Sequence, residues 1–108
     1  MSELSKKKCV ACEGGTPPLS NSRQQEFLGK IEDDWRIVDH HQLERVYKFK
    51  DFKSALEFTN RVGAIAEEQG HHPDILLTYG KVKITLWTHA AGGLTENDFI
   101  MAAKIDAQ

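Results

Sequence analysis

Gly70-His71-His72-Pro73-Asp74 decides how the rest of the chain is read. Pro73 cannot continue a helix and disfavours helical geometry at His72, so a helix arriving here must stop and an extended segment must begin. Upstream, Phe52, Ala55, Leu56, Thr59, Val62, Gly63 and Ala66 fall on one helical face, with Phe58 and Ile65 widening it. That spacing predicts a long helix to Glu68 or Gln69, capped by Asp51 at its start and closed by a left-handed Gly70. Downstream, Ile75–Tyr79 and Lys81–Trp87 flank Gly80 and read as a hairpin. Val82, Ile84 and Leu86 then face the core, while Lys83, Thr85, Trp87 and His89 share the other side. An antiparallel hairpin that leaves from Pro73 returns residue 89 beside residues 71 and 72. Three imidazoles gathered in this way point to acid/base chemistry near neutral pH, where their ordinary pKa lies.

The flanking segments supply the remaining elements. Ser20 or Ser22 caps a short helix through about Ile31, with Phe27, Leu28 and Ile31 as its buried stripe. Trp35–Val38 and Leu43–Phe49 read as two strands around the turn Asp39-His40-His41-Gln42, whose histidines are read as solvated turn residues. After the loop Ala90–Leu94, Thr95 and Asp98 have capping-box spacing at the start of a last helix carrying Phe99, Ala102, Ala103 and Ile105. The order α-β-β-α-β-β-α defines an α+β fold, a four-stranded antiparallel sheet with helices packed on one face. Its other face is left open for a partner or a site.

A chain of 108 residues, 40% apolar, suits a single domain, here 19–108, preceded by a flexible tail, 1–18, that supplies no periodic apolar residues to the core. A net charge of −2 argues against nucleic-acid binding by bulk electrostatics, and Lys6-Lys7-Lys8 is the only basic run. With no stretch long and apolar enough to span a membrane and no signal-peptide core, a cytoplasmic protein is the expectation. Cys9 and Cys12 form one C-x-x-C, half of a structural zinc site, in a segment whose Gly14, Gly15, Pro17 and Pro18 disfavour regular structure. The reading is a tail without chemistry, beside two alternatives: a metal site completed from elsewhere, or a redox pair.

The motifs Glu67-x-x-x-His71-His72-Pro73, Tyr79-Gly80-Lys81-Val82-x-Ile84-x-Leu86-x-Thr88-His89 and Gly93-Leu94-Thr95-x-x-Asp98 together resemble the signature of the pterin-4a-carbinolamine dehydratases. The similarity extends upstream through Phe49-Lys50-Asp51-Phe52 to Trp35. It implies an enzyme that dehydrates 4a-hydroxytetrahydropterin to the quinonoid dihydropterin, recycling the pterin of aromatic amino-acid hydroxylases, with no cofactor and no metal. The catalytic histidines of the family fall on His71, His72 and His89. The substrate-binding positions fall on Trp35, Glu67, Pro73 and Asp98. Loss of the 4a-hydroxyl needs one proton delivered and another removed, which imidazoles near neutrality can do; proton transfer is assigned to His71 and His89, and holding of the pterin mainly to His72. Gly70 departs from the pattern, since vertebrate members carry an acidic residue there. A homodimer or homotetramer is implied as well.

Two other classes compete with this one. A three-histidine metal enzyme would use the same rings as ligands. A protein-binding module is the second, because animal members of the family also bind a homeodomain transcription factor.

Overall fold

The computed structural model describes residues 3–9 and 17–108; Cys12, the second half of the C-x-x-C, lies outside the described residues. Three α-helices and four strands follow in the expected order: α1 (Asn21–Leu28), β1 (Arg36–Val38), β2 (Gln42–Lys48), α2 (Phe52–Gln69), β3 (Asp74–Thr78), β4 (Lys81–Leu86) and α3 (Glu96–Asp106). All pairings are antiparallel, and the sheet order is β1-β2-β4-β3.

Helix α2 covers the predicted span because its two ends are chemically marked. The Asp51 side chain accepts from the Ser54 N–H at 2.8 Å. Gly70 adopts φ 65° and donates its own N–H to the Ala66 carbonyl. A left-handed conformation there is open to glycine at little cost. Helix α1 is capped by Ser20 as expected but stops at Leu28, three residues short of Ile31. Ile31 is still buried, from the turn that follows. The β1–β2 turn is of type I′, with φ 54° at both Asp39 and His40 and a 3.0 Å bond from His41 N–H to the Val38 carbonyl.

Helices α2 and α3 pack on one face of the sheet. Leu43, Ala55, Val62, Val82, Ile84, Leu86, Leu94 and Phe99 form the solvent-free centre of the core. Phe27 of α1 stacks on Phe99 at 5.4 Å between ring centres, so α1 attaches to the sheet through α3. The opposite face carries Val46 and Leu76 in the open.

The segment read as a tail without periodic apolar residues does place one side chain, Leu4, in the core. That side chain is 3% exposed, in a 3-10 turn over Glu3–Lys6 that packs against α3. Lys104 Nζ donates to the Ser5 carbonyl at 2.9 Å, and Lys7 pairs with Glu96 at 2.8 Å, so both ends of α3 are tied to this segment. One leucine with no periodic neighbours gives no amphipathic signal, which is why the sequence pattern passes over it. Among the described residues no helix is long and apolar enough to cross a membrane.

Candidate active site

Where α2 ends, β3 begins, β4 leaves the sheet and α3 starts, one edge of the molecule collects most of the residues singled out above. Pairing runs to Asp74 opposite Thr85. Continued past that pair, the same register leads His72 alongside Trp87 and His71 alongside Thr88. Pro73 sits half-buried between His72 and β3 and sets the change from helix to strand.

Asp98 is the centre of this edge. It is fully buried on the first turn of α3, where the helix dipole favours a negative charge. Its Oδ2 accepts the Thr95 N–H at 2.9 Å, completing the capping box, and the Thr88 hydroxyl at 2.9 Å. Its Oδ1 lies 2.6 Å from His71 Nε2. A carboxylate can only accept, so donor counting assigns the protons. His71 carries its proton on Nε2, Thr88 donates to Asp98, and the Thr95 hydroxyl, 2.8 Å from Thr88 Oγ1, donates to Thr88. The His71 ring, with its side chain 12% exposed, is thereby held in one tautomer whose remaining lone pair is on Nδ1.

His72 pairs differently. Its Nε2 lies 2.5 Å from Glu67 Oε2, but the two side chains are 61% and 79% exposed. A pair so open to water contributes little to stability and leaves the ring adaptable.

His89 follows β4 and opens a 3-10 turn over His89–Ala91. The bridge between Thr88 and Gly93 closes this loop, with Thr88 N–H donating to Gly93 at 2.9 Å and Gly93 N–H returning to Thr88 at 3.3 Å. The His89 ring is exposed and stacks on Trp87, with 3.9 Å between ring centres and 20° between planes. His41 meets the same indole at 4.5 Å and 43°, so it is half-buried against Trp87 rather than a solvated turn residue; His40 alone stays exposed.

His71, Asp98 and Thr88 thus form one hydrogen-bonded chain, with His89 the next residue after Thr88 and with His72, Glu67 and Pro73 beside it. Trp35 does not join them. It is 2% exposed and precedes β1, three strands across the sheet from β3, a separation of about 14 Å at ordinary strand spacing. Its Nε1 donates to Asp106 Oδ2 at 2.7 Å, at the far end of α3. Thr88, Thr95 and Trp87 are the participants that sequence reasoning missed. The inward position of Thr88, in step with Val82, Ile84 and Leu86, was the available signal for one of them.

Among the described residues no three of His, Cys, Asp and Glu converge as a metal-holding group. A cavity of about 370 Å³ lined by Gly29, Ile31, Asp106 and Ala107 contains none of the histidines.

The sheet order and helix placement match the fold that the motifs implied, and residues 17–108 match the family described as Pterin 4 alpha carbinolamine dehydratase. The chain belongs to that family. It is 51% identical over 108 residues to a protein of Alkaliphilus metalliredigens, covering 100% of this chain and 97% of that one. It is also 51% identical over 106 residues to a protein of Rubrobacter xylanophilus, covering 98% of each. Both relatives are assigned provisionally, by name, as pterin-4-alpha-carbinolamine dehydratases. Among solved structures, a transcriptional coactivator/pterin dehydratase of Brucella melitensis superposes with a TM-score of 0.78 at 38% identity, over 83% of this chain and 96% of that one. A pterin dehydratase-like protein described as a RuBisCO assembly factor in the alpha-carboxysome gives 0.60 at 27% identity, over 70% and 89%.

Proposed function

We propose that this chain dehydrates a pterin-4a-carbinolamine to the quinonoid dihydropterin by histidine acid/base catalysis. The observation that carries the reading is the His71–Asp98–Thr88 chain, which fixes the His71 tautomer and directs its proton acceptor to Nδ1. In the reaction the C4a–O bond breaks, the 4a-hydroxyl leaves as water with a proton delivered to it, and a ring nitrogen gives up a proton as its double bond to C4a forms. A neutral imidazole with an open Nδ1 suits the second transfer, which gives His71 the role of base. His89 then supplies the proton to the leaving oxygen, and the adaptable His72 holds the pterin. Buried Asp98 orients His71 and takes no proton in the cycle, as in other carboxylate-oriented imidazoles.

The family likeness supports two further parts of this reading. The product is the form that must be reduced to regenerate the cofactor of aromatic amino-acid hydroxylases, and the working protein is a homodimer or homotetramer in the cytoplasm.

The test is a direct assay of 4a-hydroxypterin dehydration, corrected for the uncatalysed rate. His71→Ala and His89→Ala should each lower kcat by something on the order of 10²-fold, and His72→Ala should chiefly raise KM. Near-full kcat in both of the first two variants would remove the chemistry from this edge.

A further inference from the structure

We infer that Trp87 is a positioning residue for His89, its indole serving as the surface that fixes the imidazole. The inference rests on the dehydratase reading for its kinetic consequence and on the ring geometry alone for its structural one.

The three histidines are held in unequal ways. His71 has a buried aspartate and His72 has a glutamate, but the His89 ring makes no hydrogen bond or ion pair with any described residue. The Thr88–Gly93 bridge fixes its backbone and leaves the two side-chain torsions undetermined. An exposed ring in that state samples several rotamers on a picosecond to nanosecond timescale, and a proton donor that wanders loses the near-attack geometry that makes it effective. The contact with Trp87, at 3.9 Å and 20°, removes that freedom. A flat contact with an indole face is favourable for a neutral ring through stacking and for a charged ring through cation–π attraction. It therefore persists through both halves of a proton-transfer cycle, which a hydrogen bond to a single tautomer would not.

Trp87 is itself anchored. It stands one residue beyond β4, on the sheet face opposite the helices, and the half-buried His41 ring from the β1–β2 turn lies against it at 4.5 Å. The backing explains why a large aromatic occupies a position where period-two alternation asks only for a polar residue.

Trp87→Leu, Trp87→Phe, His89→Ala and the double variant Trp87→Leu/His89→Ala are compared by steady-state dehydration kinetics. The His89 ring-proton resonances are followed by NMR in the variants that keep that ring. In the unmodified protein the indole should displace those resonances upfield. Trp87→Leu should abolish the displacement and lower kcat roughly tenfold with KM within about twofold, the signature of a misplaced rather than missing group. Trp87→Phe should restore most of both. The double variant should be no slower than His89→Ala alone, because a residue acting only through His89 has nothing left to position. His89 resonances and kcat unmoved by Trp87→Leu, or a double variant well below His89→Ala, would overturn the inference. If the unmodified protein fails to dehydrate the pterin, the functional reading falls, and the resonances by themselves then decide whether Trp87 holds the ring.

Discussion

Helix α3 carries an aspartate at each end, and the two are built alike yet differ in what they can do. Asp98 on the first turn gathers Thr95, Thr88 and His71. Asp106, the last residue of the helix, gathers Trp35 at 2.7 Å, Arg45 at 2.8 Å and the Tyr47 hydroxyl. The helix dipole favours the first carboxylate and opposes the second. The Arg45 guanidinium offsets that opposition, and its other nitrogen reaches Asp34 at 3.1 Å. The difference lies in the partners. Indole and guanidinium do not exchange protons near neutral pH, whereas imidazole does. One network is a clamp between helix and sheet, and the other is the same kind of clamp with a reactive ring in it.

This contrast is sharpest under substitution. Asp98→Ala and Asp106→Ala should each cost about 3 kcal/mol of stability, since each strands buried donors. Only Asp98→Ala should also lower kcat per folded molecule, by roughly 10²-fold, because only it releases His71. Asp98→Asn sharpens the point further: the amide keeps one acceptor for the cap but, if its nitrogen faces His71, demands a proton acceptor at Nε2 and forces the other tautomer. Kinetics on protein shown folded by circular dichroism decide this, and equal losses of kcat for Asp98→Ala and Asp106→Ala would break the comparison.

A smaller effect is expected at Leu4, the residue of the N-terminal segment buried with the core near α3. Leu4→Ala should cost about 2 kcal/mol by creating a cavity, read as a lower denaturation midpoint with kcat unchanged. Loss of activity before loss of fold would tie the segment to the histidine end instead.

Tyr47 belongs to the Asp106 end, and its hydroxyl is pushed well above the ordinary tyrosine range, first by burial and then by its bond to Asp106. The folded protein holds this proton at pH values where the unfolded chain has released it. The stability it contributes is complete below about pH 10 and declines as pH rises beyond that. In a Tyr79→Phe background Tyr47 is the only remaining tyrosine, because the chain has two. Tyrosinate absorbance should then appear together with alkaline unfolding, and its appearance in the folded protein would contradict the clamp. Least of all is expected from chelation. Dialysis against a strong chelator should leave the dehydration rate unchanged, and a loss restored by zinc would move the histidine end to a metal reading.

Much of the fold was legible because its signals are local. The Asp51 cap, the α2 stripe, Gly70 and the alternation of β4 each act within a few residues, and the elements they mark stand where the pattern put them. The boundary of α1 was read late because buried Ile31 continues the apolar spacing after the helix has ended. His71, His72 and Pro73 stand out in the local sequence and Asp98 as a helix cap by its spacing from Thr95, whereas the contact between His71 and Asp98 is carried by no local pattern. Trp35 was drawn to the site by family likeness, whereas its indole N–H goes to Asp106, and no local pattern reports a partner 71 residues away. Trp87 and Thr88 were hidden for a related reason: alternation shows which way a side chain points and says nothing of what it meets.

The bonds that secure α3 are distant in the chain. His71 and Asp98 are 27 residues apart, Tyr47 and Asp106 are 59, Trp35 and Asp106 are 71, and Lys7 and Glu96 are 89. Helix α2 and the β3–β4 hairpin can form by closing short loops, but these bonds require the ends of the chain to have come together. The His71 tautomer is therefore set only when α3 has docked, so under the proposed histidine mechanism catalytic competence comes at the end of folding. In refolding, helical signal should return first and turnover last, so the rate of dehydration reports how many molecules have completed assembly rather than how many have collapsed.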